Sequence, residues 1–188
     1  GMEYDRIEAN FPTVVQEGNF PKILTIYRSV ARDLVRYSSA REGDRVLDMG
    51  FGTGISTLEL LQQKKGINVV GIEMSKGMLS VARYKFHQDD GHGILAQITD
   101  DKLLKYWRDF REESKDYTTK VEFLQGDIQE TEAIATESVD AAVGSQFMHW
   151  TDLSKSFKQL NKFLRTKGEV IWNSASHFYN DKQFPTAE

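Results

Sequence analysis

The run Val46-Leu47-Asp48-Met49-Gly50-Phe51-Gly52-Thr53-Gly54 restricts the fold more than any other stretch, because an apolar segment ends in an acid and then breaks into three alternating glycines. The apolar part reads as a strand, and Ile55-Ser56-Thr57-Leu58-Glu59 reads as the helix that the loop opens. Glycine at every second position lets the backbone take positive φ and removes the Cβ atoms that would collide with a ligand. A loop of this shape predicts something held at the strand end.

Charge narrows what that is. A dinucleotide fingerprint needs G-x-G-x-x-G with a pyrophosphate on the helix N-terminus, but Ile55 stands where the third glycine belongs and Asp48 adds negative charge beside any phosphate. Both features count against a nicotinamide cofactor. A ligand without phosphate that carries a sulfonium and an ammonium is attracted to an acid in that position. The string resembles the first motif of the class I S-adenosylmethionine-dependent methyltransferases, an acid followed by x-G-x-G-x-G, with Phe51 where that family usually places a small residue. The resemblance implies a Rossmann-like α/β fold, a doubly wound and mostly parallel sheet of strand order 3-2-1-4-5. It implies S-adenosylmethionine as cofactor, held at Asp48, Gly50, Phe51, Gly52 and Gly54.

The rest of the chain alternates helix and strand patterns, which itself predicts a parallel sheet with helices on both faces. Within an N-terminal helical segment, residues 1–40, the residues Ile23, Ile26, Tyr27, Val30, Leu34 and Tyr37 recur at helical spacing, with Pro21 in the first turn. After the glycine loop, Ser56 and Glu59 have capping-box spacing, Leu58 and Leu61 point inward, and Gly66 stops the helix. Strands are expected at 68–74, 121–125, 139–144 and 169–174. Ser75 caps a helix whose Met78, Leu79, Ala82 and Phe86 form one apolar stripe. Asp152 opens another with Leu153, Phe157, Leu160 and Leu164 inward, closed by Lys167-Gly168.

Two segments break the alternation. Residues 89–120 form an insertion with a helix of Leu103, Leu104, Tyr106, Trp107 and Phe110, expected to be either a solvated excursion or a lid or pocket wall. The resemblance also implies a sixth and an antiparallel seventh strand, yet the chain ends soon after the fifth. A shortened chain is therefore expected, with an open sheet edge at the fifth strand that either pairs with a second copy or is covered by residues 178–184. At the other end, Gly1 reads as a protease remnant ahead of Met2, and Tyr4, Phe11 and Val14-Val15 as a segment that could fold over the donor.

Further site residues follow the strand ends. Glu73 closes the second strand, followed by Met74, and a carboxylate there can accept both ribose hydroxyls of an adenosyl group. By resemblance, Asp127 accepts from the adenine amine, the N–H of Ile128 meets a ring nitrogen, and the Ser145 region touches the methionine end. After the fourth strand, the pair His149-Trp150 resembles a subset of small-molecule methyltransferases that includes the trans-aconitate type. His149 is the candidate general base, since imidazole titrates near neutral pH, against the alternative of a structural residue flanking the next helix.

With 188 residues the chain is expected to be a single domain. A net charge of −4 offers no footprint for nucleic acid, and no apolar run approaches the roughly 20 residues that span a bilayer. The lack of cysteine excludes disulfides, thiolate zinc sites and a catalytic thiol, and fits a cytoplasmic location. His87, His92 and His177 are scattered, so no metal site is expected, and neither a P-loop nor G-x-S-x-G is present. These readings converge on methyl transfer to a small-molecule acceptor through an O, N or C nucleophile, possible as a homodimer. The alternative is a donor-binding module that is inactive without further strands or a partner chain.

Overall fold

The computed structural model describes residues 20–173 except residue 97. Its elements run α1 Phe20–Arg36, β1 Arg45–Met49, α2 Ile55–Gln63, β2 Asn68–Glu73, α3 Lys76–Lys85, α4 His92–Leu95 and α5 Asp101–Ser114. They continue with β3 Val121–Gln125, β4 Val139–Ser145, α6 Leu153–Phe163 and β5 Leu164–Asn173. The five strands form one parallel sheet in the order β3-β2-β1-β4-β5, as the resemblance implied. Because side chains alternate along a strand, β1 feeds two cores. Val46 faces a cluster with Leu34, Leu58, Leu60, Phe86 and Phe123, whereas Leu47 and Met49 face Val70, Ile72, Leu160 and Phe163 on the other side. Both faces are thus covered, which is why Val46, Leu47 and Met49 are all apolar although they point to opposite sides.

Several local expectations are overturned. The buried face of α1 is Leu24, Ala31, Leu34 and Val35, while Ile26, Tyr27 and Tyr37 are exposed. Arg28 and Arg32 of α1 reach Glu59 on α2 at 2.8 and 3.2 Å, and this pairing sets which side of α1 faces the domain. Ser56 and Glu59 form no capping box, because the N-cap of α2 is Gly54, in the left-handed region at φ 87°. The last helix ends at Phe163, before Leu164, since the N–H groups of Glu137 and Ser138 take the carbonyls of Lys162 and Phe163. Leu164 instead starts β5 opposite Val139, and Lys167-Gly168 lies inside that strand, where the register slips before Glu169 meets Ala141.

The insertion is neither a solvated excursion nor a wall of the cleft described below. Leu103, Trp107 and Phe110 of α5 are each about 1% exposed and pack on α3 through Val81, Tyr84 and Phe86. The N-terminal aromatics Tyr4 and Phe11, and the residues 178–184 expected to cover β5, lie outside the described residues. Among the described strands β5 pairs only with β4.

Candidate functional site

A parallel sheet places all its strand ends on one rim, so the carboxyl ends of β1 to β4 bring Gly50 to Gly54, Glu73, Asp127, Ile128 and Ser145 together. Backbone hydrogen bonds lock the strand-end loops to one another, with Gly50 N–H donating to Ile72 O at 2.9 Å and Gly126 N–H to Glu73 O at 3.0 Å.

The three glycines serve different ends. A Cβ on Gly50 would meet the Phe147 ring at 1.9 Å, and one on Gly54 would meet Phe86 at 2.8 Å, so these two allow packing. Gly52 has φ +57° with only Met78 Sδ nearby, 3.7 Å from a built Cβ, so its backbone is left bare. Phe51 points the opposite way: its ring is buried against Phe123, centroid to centroid 4.5 Å, leaving only its backbone to the loop.

Asp48 is fully buried at the base of the loop. It accepts hydrogen bonds from Ser56 Oγ at 2.9 Å and Thr57 Oγ1 at 2.7 Å, pinning the first turn of α2 to β1. Burial pushes its carboxyl up to about 7, against the pull of the Thr57 and Ser56 hydroxyls, with a further push from the Glu73 charge. Glu73, 2% exposed, holds the loop from the next strand, accepting from Gly52 N–H at 3.0 Å and from Ser75 N–H at 2.8 Å.

Beside Glu73 lies a shallow cleft with apolar walls from Ile72, Met74, Ile128, Phe147 and Trp150, and with Asp127 and Gln129 at its polar side. The Asp127 carboxylate accepts from Gln129 N–H and from Gln129 Nε2 at 2.9 to 3.0 Å. Gln129 in turn accepts from Asp152 N–H at 2.8 Å, linking this cleft to the start of α6. Neither Gln129 nor Phe147 was singled out by sequence reasoning. A glutamine two residues past an acid and a phenylalanine in an aromatic-rich loop carry no signal of their own.

At the end of β4, Ser145 is half-buried and Gln146 takes a left-handed φ of 56°. Both its N–H and its Nε2 donate to Asn173 Oδ1 at 2.9 Å, so the ends of β4 and β5 are tied side chain to backbone. His149 follows in a short 3-10 turn with its ring 5.0 Å from that of Trp150. The imidazole is exposed on one side, yet partial burial holds its pKa below the ordinary range, leaving it neutral at pH 7. Among the described residues no three carboxylates or histidines gather as metal ligands would, and no helix is long and apolar enough to cross a membrane.

An order of β3-β2-β1-β4-β5 with an acid and glycine loop after β1, an acid closing β2 and another just past β3 defines the Rossmann-like architecture of class I methyltransferases. The methyltransferase domain family matches residues 47–172, and the chain belongs to it. It is 26% identical over 140 residues to a probable S-adenosylmethionine-dependent methyltransferase, CRG1, of Saccharomyces cerevisiae, covering 74% of this chain and 37% of that protein. It is 32% identical over 110 residues to the ubiquinone biosynthesis O-methyltransferase of Nitrosococcus oceani, covering 58% and 44%. The chain therefore spans less than half the length of these relatives. In fold it is similar to the geranyl diphosphate C-methyltransferase of Streptomyces coelicolor, solved with Mg2+, geranyl diphosphate and S-adenosyl-L-homocysteine. The TM-score is 0.57 at 16% identity, over 76% of this chain and 43% of that one.

Proposed function

We propose that the protein transfers a methyl group from S-adenosylmethionine to a small-molecule acceptor. The observation that carries this is the Glu73 carboxylate, which is bonded to the bare Gly52 backbone and stands beside an apolar cleft with Asp127 at its polar side. These residues fit the cofactor's parts. The apolar lining of Ile72, Met74, Ile128 and Phe147 suits a purine, Asp127 suits its amine, Glu73 suits a ribose diol, and Gly52 leaves room for the chain that continues from the ribose.

When bound, the cofactor supplies a methyl group on a positively charged sulfur. The chain's own part is alignment, since holding two reactants in register is worth roughly 7 to 11 kcal/mol of barrier. Ser145 and Gln146, at the end of β4, stand at the rim toward the methionine end, and Asp48 contributes by shaping the loop from below. His149 serves as the proton acceptor for a substrate hydroxyl or amine, a role that its lowered pKa supports because a neutral imidazole can take a proton. Similarity to a ubiquinone biosynthesis O-methyltransferase and the chain's net negative charge support a small-molecule acceptor. The cysteine-free composition supports the cytoplasm as the place of this chemistry.

Calorimetry with S-adenosylmethionine, S-adenosylhomocysteine and NAD tests the donor, and labelled-methyl transfer to a panel of small carboxylates, phenols and amines tests the acceptor. Preference for NAD would overturn the reading.

A further inference from the structure

Lys85, the last residue of α3, is completely buried. Its ammonium donates to Thr53 O at 3.1 Å and to Thr53 Oγ1 at 3.2 Å, within the glycine loop and on the side away from the cleft. The insertion closes over it: Nζ lies 4.2 Å from the Phe110 ring centroid and 5.2 Å from that of Tyr106. Among the described residues no carboxylate pairs with it.

A buried cation without a counter-ion is costly, and a methionine of similar length would fill the same space without that cost. The fold nevertheless spends α5 on enclosing it. The enclosure is continuous with the loop, since Phe110 packs edge-on against Phe86, Phe86 against Phe123, and Phe123 against Phe51 of the loop itself. The loop is thus held from two sides, by Glu73 at Gly52 and by Lys85 at Thr53.

We propose that Lys85 is a positioning residue for donor binding, gripping Thr53 from behind so that the glycine loop keeps the shape the donor requires, with the insertion serving as its cage. This rests on the donor-binding reading above. The charged groups around Lys85 are few: Arg28 of α1 lies near enough to disfavour its charge, and Arg28 is itself paired with Glu59 of α2 and Glu113 of α5. From α5 the titratable neighbour is Tyr106, whose buried hydroxyl has no hydrogen-bond partner and whose pKa burial pushes up to about 12, so it stays neutral. Burial first, and Arg28 second, bring Lys85 down to about 7. The grip of the ammonium therefore weakens as pH rises through neutrality.

The test measures S-adenosylhomocysteine affinity of the full chain at pH 6, 7 and 8.5 for the wild type, Lys85→Met and Lys85→Gln. Binding by the wild type establishes the donor reading separately, and its failure there would sink that reading first. Lys85→Met is expected to remain folded by circular dichroism and to bind about 10- to 100-fold more weakly at pH 6, the loss typical of a hydrogen bond to a charged group. The gap from wild type should shrink toward pH 8.5. Lys85→Gln, which keeps a donor but not the charge, should recover part of the affinity and remove the Lys85 contribution to the pH profile. A merely structural lysine would change the melting temperature and leave that pH-dependent gap absent. Wild-type affinity and pH profile in Lys85→Met would overturn the proposal. Should neither variant fold, hydrogen exchange at residues 52–55 of the wild type carries the test: it should quicken as pH rises through 7 beyond the intrinsic base-catalysed increase, and no excess would overturn the proposal.

Discussion

Replacing Asp48 by Asn tests whether this acid is a buried pin or a contact for the donor. The carboxyl is fully buried, and its pKa stands at about 7 against an ordinary 3.8, a gap of about three pH units. Each unit corresponds to 1.36 kcal/mol, so ionising Asp48 in the folded protein costs about 4 kcal/mol of stability by the time the pH exceeds 7. The sign follows from proton counting. Between pH 4 and 7 the folded state holds a proton that the unfolded chain has released, so stability falls as pH rises through that window and levels off above it. Asp48→Asn keeps the shape and an acceptor oxygen for Thr57 Oγ1 but cannot ionise. Urea unfolding from pH 4.5 to 8 should therefore show a decline in the wild type that is shallower in the variant by a few kcal/mol across the window. Above pH 7 the variant should equal or exceed the wild type in stability, and its affinity for S-adenosylhomocysteine should fall by less than tenfold. Parallel curves for the two proteins would refute the reasoning, and so would loss of binding with unchanged stability.

Glu73→Ala removes the loop anchor and, on the proposed reading, the ribose acceptor, and should weaken S-adenosylhomocysteine binding by roughly 1 to 3 kcal/mol in calorimetry; equal affinity would take Glu73 out of the site. Gly52→Val forces a β-branched residue into φ +57° and fills a side of the loop that is otherwise bare, so donor binding should vanish while circular dichroism remains native, and normal binding would leave the loop a mere turn. His149→Asn should slow methyl transfer to hydroxyl or amine acceptors without changing donor affinity; unchanged transfer rates would make His149 a flanking residue. The exposed Trp172 and the single pairing of β5 among the described strands predict concentration-dependent association in light scattering, which a strict monomer would contradict.

What could be read from the sequence was whatever depends on neighbours along the chain. The strand ends that carry Asp48, Glu73 and Asp127 were legible because an apolar run breaking off at an acid marks where a strand ends, and the strand order was legible through the family those motifs resemble. The Ser75 and Asp152 caps were legible for the same local reason, each accepting from an amide two or three residues on. The spacing of Ser56 and Glu59 misled because it is shared by two arrangements. Once Gly54 takes φ 87° and becomes the N-cap, Ser56 falls in the first turn facing back to Asp48, and Glu59 falls toward Arg28 and Arg32. The same contact decided the face of α1, where two apolar stripes compete and the one compatible with two arginines reaching Glu59 is buried.

Lys85 shows why long-range contacts stay hidden. A lysine at the end of a helix is expected in solvent, stabilising the C-terminal carbonyls. Here α5, entering from a segment that looked like an addition to the fold, covers that helix end with Phe110 and Tyr106 and turns the side chain inward to Thr53. No periodicity in residues 76–85 carries that information, because the deciding atoms lie more than twenty residues away in either direction. The extra helix and the glycine loop are consequently one mechanical unit, so a substitution such as Phe110→Ala in the insertion should loosen the loop without touching any residue of the cleft. Faster hydrogen exchange at residues 52–55 in that variant is the expected sign, and unchanged exchange there would separate the insertion from the site.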